Sequence, residues 1–300
     1  MKTPRIAATA LACISLFANS LPAQDVTKRI EQSHQAHSLS ITNSFGKVEV
    51  QSHGGDRIDV VVEISVSGNP KLSSQKWLDQ VTIVTTEKDG KVELITKSYL
   101  GNQKGVKNFS VNYTVRMPEN THISVRNSFG NTSIARSTGT VDVNQQHGSC
   151  YIGEALGKDN QIKVTFGSLT GNTIAHADIN VQHGSTTLQS VSHASLKQQF
   201  GSVKLTQVSG EVRINATHGS VRIEEVTPAT TLLDLVSQFG SVELEKVPER
   251  GFRIDLEGQF TSFKWPDHFD VREKNEASVH NASYALESDK GPTPSRIKIN

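Results

Sequence analysis

The sequence predicts an all-β chain built around a parallel, β-helix-like solenoid, on three observations. A four-residue phrase centred on glycine recurs along residues 123–265. Apolar residues hold fixed offsets from that glycine on both sides. The unit is only 17 to 21 residues long, too short to bury an apolar face without stacking on its neighbours.

The phrase reads Asn-Ser-Phe-Gly at 127–130, Gln-His-Gly-Ser at 146–149 and Thr-Phe-Gly-Ser at 165–168. Gln-His-Gly-Ser follows at 182–185, Gln-Phe-Gly-Ser at 199–202, Thr-His-Gly-Ser at 217–220 and Gln-Phe-Gly-Ser at 238–241. Gln-Phe-Thr-Ser at 259–262 is a degenerate last copy, and Asn-Ser-Phe-Gly at 43–46 is an early one. The repeat turns are therefore expected at Gly46, Gly130, Gly148, Gly167, Gly184, Gly201, Gly219 and Gly240. A glycine there supplies positive φ or a close backbone approach.

Five residues before the glycine stand Val125, Val143, Ile162, Ile179, Leu196, Ile214, Leu235 and Leu256. Apolar residues also dominate two and four places after it, as in Val203 with Leu205 and Val221 with Ile223. Alternation on each side of a break means two short strands meeting at a corner. Rungs ~4.8 Å apart would make eight units a rod of roughly 38 Å. The serine after the glycine, present in seven of the eight copies over 127–262 with Asn131 the exception, is expected to run as a ladder. The Gln/Thr position two before it is expected to bond from rung to rung. The residue just before the glycine alternates: Phe129, His147, Phe166, His183, Phe200, His218 and Phe239, then Phe260. That alternation implies an ancestral unit of two rungs. The rival fold is an antiparallel β-sandwich in which each Gly-Ser is a hairpin turn; it would pair Val143 with Ile152 instead of Ile162.

Taken in order, residues 1–23 have the form of a signal peptide. Lys2 and Arg5 precede an apolar run from Ile6 to Phe17, and Ala23 is the expected cleavage point, with Ser20 the alternative. The run falls short of the about 20 residues needed to span a bilayer, and no later stretch is a candidate. Residues 24–37 read as a linker. An N-terminal β-rich part follows over 38–122, with strands at Ile58 to Val66, Val81–Thr86, Val92–Thr96 and Phe109 to Met117. Its one short helix is expected over Leu72 to Leu78, opened by Pro70 and anchored by Trp77 and Leu78. Lys88-Asp-Gly90 is a hairpin turn. Beyond the repeats, residues 266–300 read as a cap over the last rung's edge.

Charge and cysteine content exclude several functions. The formal net charge is +1 over 300 residues, and loss of the leader leaves −1, so no basic field attracts nucleic acid. The leader also carries Cys13, leaving Cys150 alone, without a disulfide partner or a zinc-thiolate cluster. No phosphate-binding glycine loop or nucleophile elbow is present. No cofactor is implied.

Candidate ligand residues are few. His147, His183 and His218 lie two rungs apart, too far to share an ion. Asp159, His176, His193 and Glu211 occupy one position, eight before the glycine, in four consecutive rungs. There a divalent metal is the candidate ligand, against a solvated polar column. Asp142, Asp178, Asp234 and Asp255 share another position, but they are too spread for the paired carboxylates of glycoside cleavage. Lys163 and Lys197 beside them read as a salted face. For aromatic sugar binding only Tyr151 falls in an outward position of the repeats, while Trp265 plugs the end.

The run Val115-Arg-Met-Pro118, then His122 to Gly130, then the train of glycine-centred rungs resembles the bacterial "putative adhesin" family of exported β-strand-repeat domains. The likeness spans about Ser38 to the C-terminus. It implies a right-handed β-solenoid, export to the periplasm or cell surface, and no catalytic residues. No anchor or sorting tail is visible here, a departure from adhesins that fix themselves to a surface. The expected function is thus a non-enzymatic adhesin-like binding or envelope scaffold protein with a glycan or protein ligand. The alternatives are a carbohydrate-active solenoid enzyme and a metal-binding or envelope-stress accessory protein.

Overall fold

The computed structural model describes residues 26–68, 74–99, 106–248, 252–268, 270–278, 281–287 and 295–299. The leader expected over 1–23 and the helix start at Leu72 lie outside these residues. The described residues form one mostly parallel sheet of twenty strands, wound into a β-solenoid of about seven turns with one short helix.

The N-terminal part is β1 (Val26–His34), β2 (Ser38–Phe45), β3 (Val48–His53), β4 (Ile58–Gly68), α1 (Ser74–Leu78), β5 (Val81–Lys88), β6 (Lys91–Ser98) and β7 (Val106–Pro118). β4 pairs antiparallel with both β1 and β7, and β5 with β6. Asp89 (φ 50°) and Gly90 (φ 68°) turn that hairpin as their residue types require. Trp77 and Leu78 of α1 are buried. β1 corrects the expected linker. Its only apolar residues are Val26 and Ile30, so it reads as polar chain, yet it alternates half-buried and exposed residues along β4.

The rungs proper begin with β8 (His122–Phe129), β9 (Thr132–Ser137), β10 (Val141–Gln146), β11 (Cys150–Ala155) and β12 (Asn160–Thr165). They continue through β13 (Leu169–Gln182), β14 (Thr186–Gln199), β15 (Val203–Thr217), β16 (Ser220–Lys246) and β17 (Phe252–Lys264). Val143 pairs in parallel with Ile162, and Ile162 with Ile179. The antiparallel sandwich is thereby excluded. β2 and β3, with the early phrase between them, form a rung below β8 and β9.

Stacking in register turns each apolar offset into a buried column. Val125, Val143, Ile162, Ile179, Leu196, Ile214 and Leu235 are all essentially inaccessible, as are Ile134, Ile152, Leu188, Leu205, Ile223 and Leu244. Gly171 is the gap in the second column, and Leu188 of the next rung leans into it. Burial of this kind is worth roughly 1.5–3 kcal/mol per large side chain, which is how the fold stands without a disulfide. Cys150 lies inside the core, and its burial pushes the thiol up to about 12.

At the far end β18 (Asp270–Ser278) and β19 (Asn281–Glu287) lie beyond the last rung, whereas β20 (Ser295–Ile299) departs from the expected cap and inserts between β16 and β17. β20 pairs in parallel with both β16 and β17, and β19 runs antiparallel along β17. The last rung's edge is thus covered by antiparallel chain, the device an open solenoid needs. Among the described residues, no helix is long and apolar enough to cross a membrane.

The corner glycines act differently from the sequence expectation. Only Gly46 and Gly130 among them have positive φ. From the third rung of the stack onward the left-handed residue is the aromatic one before the glycine, as in His147, Phe166, His183 and Phe200 (φ 49–56°). The glycine serves close approach instead. A Cβ on Gly184 would lie 1.7 Å from the carbonyl oxygen of Gly167, and the same clash recurs at Gly201, Gly219 and Gly240. Gly184→Ala should therefore cost more than about 3 kcal/mol in chemical denaturation, or prevent folding. Gly54→Ala, with nothing within 4 Å, should stay within about 0.5 kcal/mol of the parent.

Candidate functional site

Three outward columns are built by the corner and its flanking strands. The first is aromatic. Nine rings, from Phe45 through Phe129, His147, Phe166, His183, Phe200, His218 and Phe239 to Phe260, stack at centroid separations of 4.9–5.4 Å and within 15° of parallel. Phe109 closes the lower end edge-on. Holding a non-glycine residue left-handed costs about 1–2 kcal/mol. Two stacked neighbours per ring return about 0.5–1.5 kcal/mol each, so the column offsets its own strain. The phenyl rings remain 38–52% exposed, but by their edges. Their faces are covered by the rings above and below, which withdraws them as sugar-stacking platforms.

Inside the corner lies a feature that sequence reasoning missed. Gln145 and Gln198 are buried at core-facing positions. The Gln145 amide donates to the carbonyl of Gly130 (2.6 Å), and Thr132 donates to its oxygen (2.6 Å). Gln198 repeats the arrangement with Gly184 and Thr186. The signal was an amide two residues after an apolar core residue, on the same face. The expected serine ladder shows one hydroxyl contact among the described residues, Ser168 with Ser185 (3.2 Å). Backbone bonds, such as Cys150 N–H to Ser168 and Leu169 N–H to Ser185, carry the corner from rung to rung.

The second column holds the metal candidates. His176 and His193 are neighbours, with rings parallel at 5.0 Å. Both are left-handed, as is Asp159 one rung below. The equivalent left-handed position one rung above is Gly210, not Glu211. An irregularity in the β14–β15 register between Ser192 and Ala194 adds a residue there. Glu211 instead lies 3.8 Å from Arg213. Asp159, His176, His193 and Glu211 nonetheless all line one groove of about 320 Å³. Zinc needs its nitrogens at about 2.0–2.1 Å and converging. Parallel rings 5.0 Å apart direct their nitrogens side by side, so one ring would have to leave the stack to share an ion. No group of three or more His, Cys, Asp or Glu suited to an ion occurs among the described residues.

The third column is the outward face of the first strand in each rung. Asp142, Gln161, Asp178, Ser195, Arg213 and Asp234 are successive partners there, with Arg126 against Asp142 at 3.5 Å and Gln161 donating to Asp178 at 3.2 Å. This face forms a trough of about 550 Å³ that also includes Lys163 and Lys197, and it adjoins the histidine groove through Gln161, Asp178 and Ser195. Of the remaining aromatic candidates, Tyr151 is exposed. Trp265 packs half-buried against the end of the core.

Fold and face together define a β-solenoid whose surface chemistry recurs by rung. Residues 36–257 match the toastrack DUF4097 family, and the chain belongs to that family. It is similar in structure to a putative adhesin from Bacteroides fragilis, at 12% identity over 91% of this chain and 97% of that one, with a TM-score of 0.38. It is also similar to a putative cell adhesion protein from Clostridium sporogenes, at 12% identity over 91% and 94% of the two chains, with a TM-score of 0.22. At these scores neither likeness extends to a ligand. No curated protein matches the chain.

The ring geometry at His176 and His193 gives a direct expectation for metal. Zinc titrated into the parent and into the His176→Ala/His193→Ala double variant should give the same heats in calorimetry. Heat that vanishes in the variant would assign an ion to the groove.

Proposed function

We propose that the protein is a non-enzymatic, exported solenoid that acts as an adhesin-like binding or envelope scaffold protein in the periplasm or at the cell surface. One observation carries the reading: its outward chemistry recurs rung after rung instead of converging on a point. Acid–base catalysis requires two or more groups to converge on one bond. In the Asp142 column, by contrast, carboxylates alternate with Gln161 and Ser195 along the stack. A repeated polar face on a rigid rod suits many weak contacts with an extended partner. The leader-like residues 1–23 support export, and a core that holds without disulfides is compatible with either compartment.

Cell fractionation with mass spectrometry of the N-terminus tests location. The expected outcome is a chain processed near Ala23 in the periplasmic or surface fraction. Pull-down from envelope glycans and proteins should retain a partner, while a panel of acidic polysaccharides should show no new reducing ends. A full-length cytoplasmic chain, or turnover on that panel, would overturn the reading.

A further inference from the structure

The trough on the first-strand face contains a pattern finer than its carboxylates. In the outward position two residues further along each strand, successive rungs carry Arg126, Asn144, Lys163, Asn180, Lys197 and Asn215. Cation and amide alternate without a break over six rungs. The alternation keeps step with the ring column: the cations belong to the rungs of Phe129, Phe166 and Phe200, the amides to those of His147, His183 and His218. Beside the cations stand Ser124, Gln161 and Ser195; beside the first two amides stand Asp142 and Asp178. The face is a checkerboard with a period of two rungs, about 9.6 Å.

Two features mark this pattern as more than a salted surface. Arg126 is held by Ser124 and Asp142, but the ammonium groups of Lys163 and Lys197 have no hydrogen bond or ion pair among the described residues. Both line the same trough. The Oδ1 atoms of Asn144 and Asn180, again two rungs apart in that trough, are buried without a hydrogen-bond partner. Unmet acceptors of this kind are costly, and they favour a turn of the amide toward a hydroxyl donor.

We infer that this trough binds an extended acidic glycan lying along the solenoid axis, with one carboxylate per disaccharide. Each carboxylate sits over Lys163 or Lys197. The hydroxyls of the intervening neutral sugar reach Asp142, Asp178 and the asparagine amides, since ionised carboxylates are strong acceptors for hydroxyl donors. In an extended β-linked glycan one disaccharide spans close to two rungs, so the ligand keeps register. A peptide strand does not: its side chains on one face repeat every ~6.8 Å, and strands add to sheet edges, not across faces. A nucleic acid is opposed by Asp142 and Asp178 among the cations, and the ring column offers it no free face for base stacking.

This inference rests on the binding role proposed above, and it adds the ligand class. The probe is hyaluronan, in which glucuronate alternates with a neutral amino sugar, compared by calorimetry with neutral chito-oligosaccharide, polygalacturonate and oligo-dT. Hyaluronan should bind the purified chain, more weakly as salt rises. Lys163→Gln/Lys197→Gln should lower its affinity by about tenfold or more with an unchanged melting temperature, whereas Lys91→Gln on the N-terminal hairpin should have no effect. Equal affinity in the double variant, or tighter binding of chito-oligosaccharide, polygalacturonate or oligo-dT, would overturn the assignment. If hyaluronan fails while envelope material is still retained, the ligand class falls and the binding role stands. Shortening of the polymer would instead remove the non-enzymatic role.

Discussion

From Gly130 to Gly240 the backbone of each rung passes so close to the rung before it that a carbonyl oxygen occupies the place of a Cβ. Only glycine satisfies that contact, and only one register places glycine over glycine. The corner is therefore a registration device. Once it is fixed, every residue at a given offset falls into a column, whether apolar, aromatic, amide or charged. Parallel pairing alone would not achieve this, because a parallel strand can slip by two residues and keep its apolar side inward. The buried amides of Gln145 and Gln198, bonded to corner carbonyls of the previous rung, tie the same point from inside.

Variation in unit length is then pushed to the opposite bend. Between Gly219 and Gly240 the unit lengthens, and the pairing of β15 with β16 is irregular between Val208 and Glu211. Gly210 pairs with Thr230 and Glu211 with Leu232, after which the register is regular again up to Gln238. The Thr230 hydroxyl donates to Val208 and steadies that bend. This insertion is absorbed away from the corner glycines, and the corner columns continue undisturbed.

The fold was legible because its signal is positional. Offsets from a glycine need no knowledge of packing, and they place Val143, Ile162 and Ile179 correctly as neighbours. What stayed hidden depended on neighbours that sequence distance does not reveal. β1 is polar and takes its strand identity from pairing with β4. Positive φ belongs by default to glycine, yet here it falls on His147 and Phe166 because the stack of rings stabilises them there. Glu211 occupies the right place in the count and the wrong place in space, since one inserted residue brings Gly210 against the His193 ring.

The ring column also limits what the surface can recognise. Face-to-face stacking consumes the π-surfaces that sugars and bases use, so aromatic residues here are spent on cohesion and display edges alone. In the binding role proposed above, recognition falls to the polar columns, whose individual contacts are exposed and screened and so worth at most about 1 kcal/mol each. Such a face gains strength by repetition, provided that the partner's spacing matches the rungs and no contact has to be strained to make the next. The two-rung alternation of Phe with His and of lysine with asparagine sets that spacing. In that proposed role, the length of the stack, more than any single side chain, determines how firmly a partner is held.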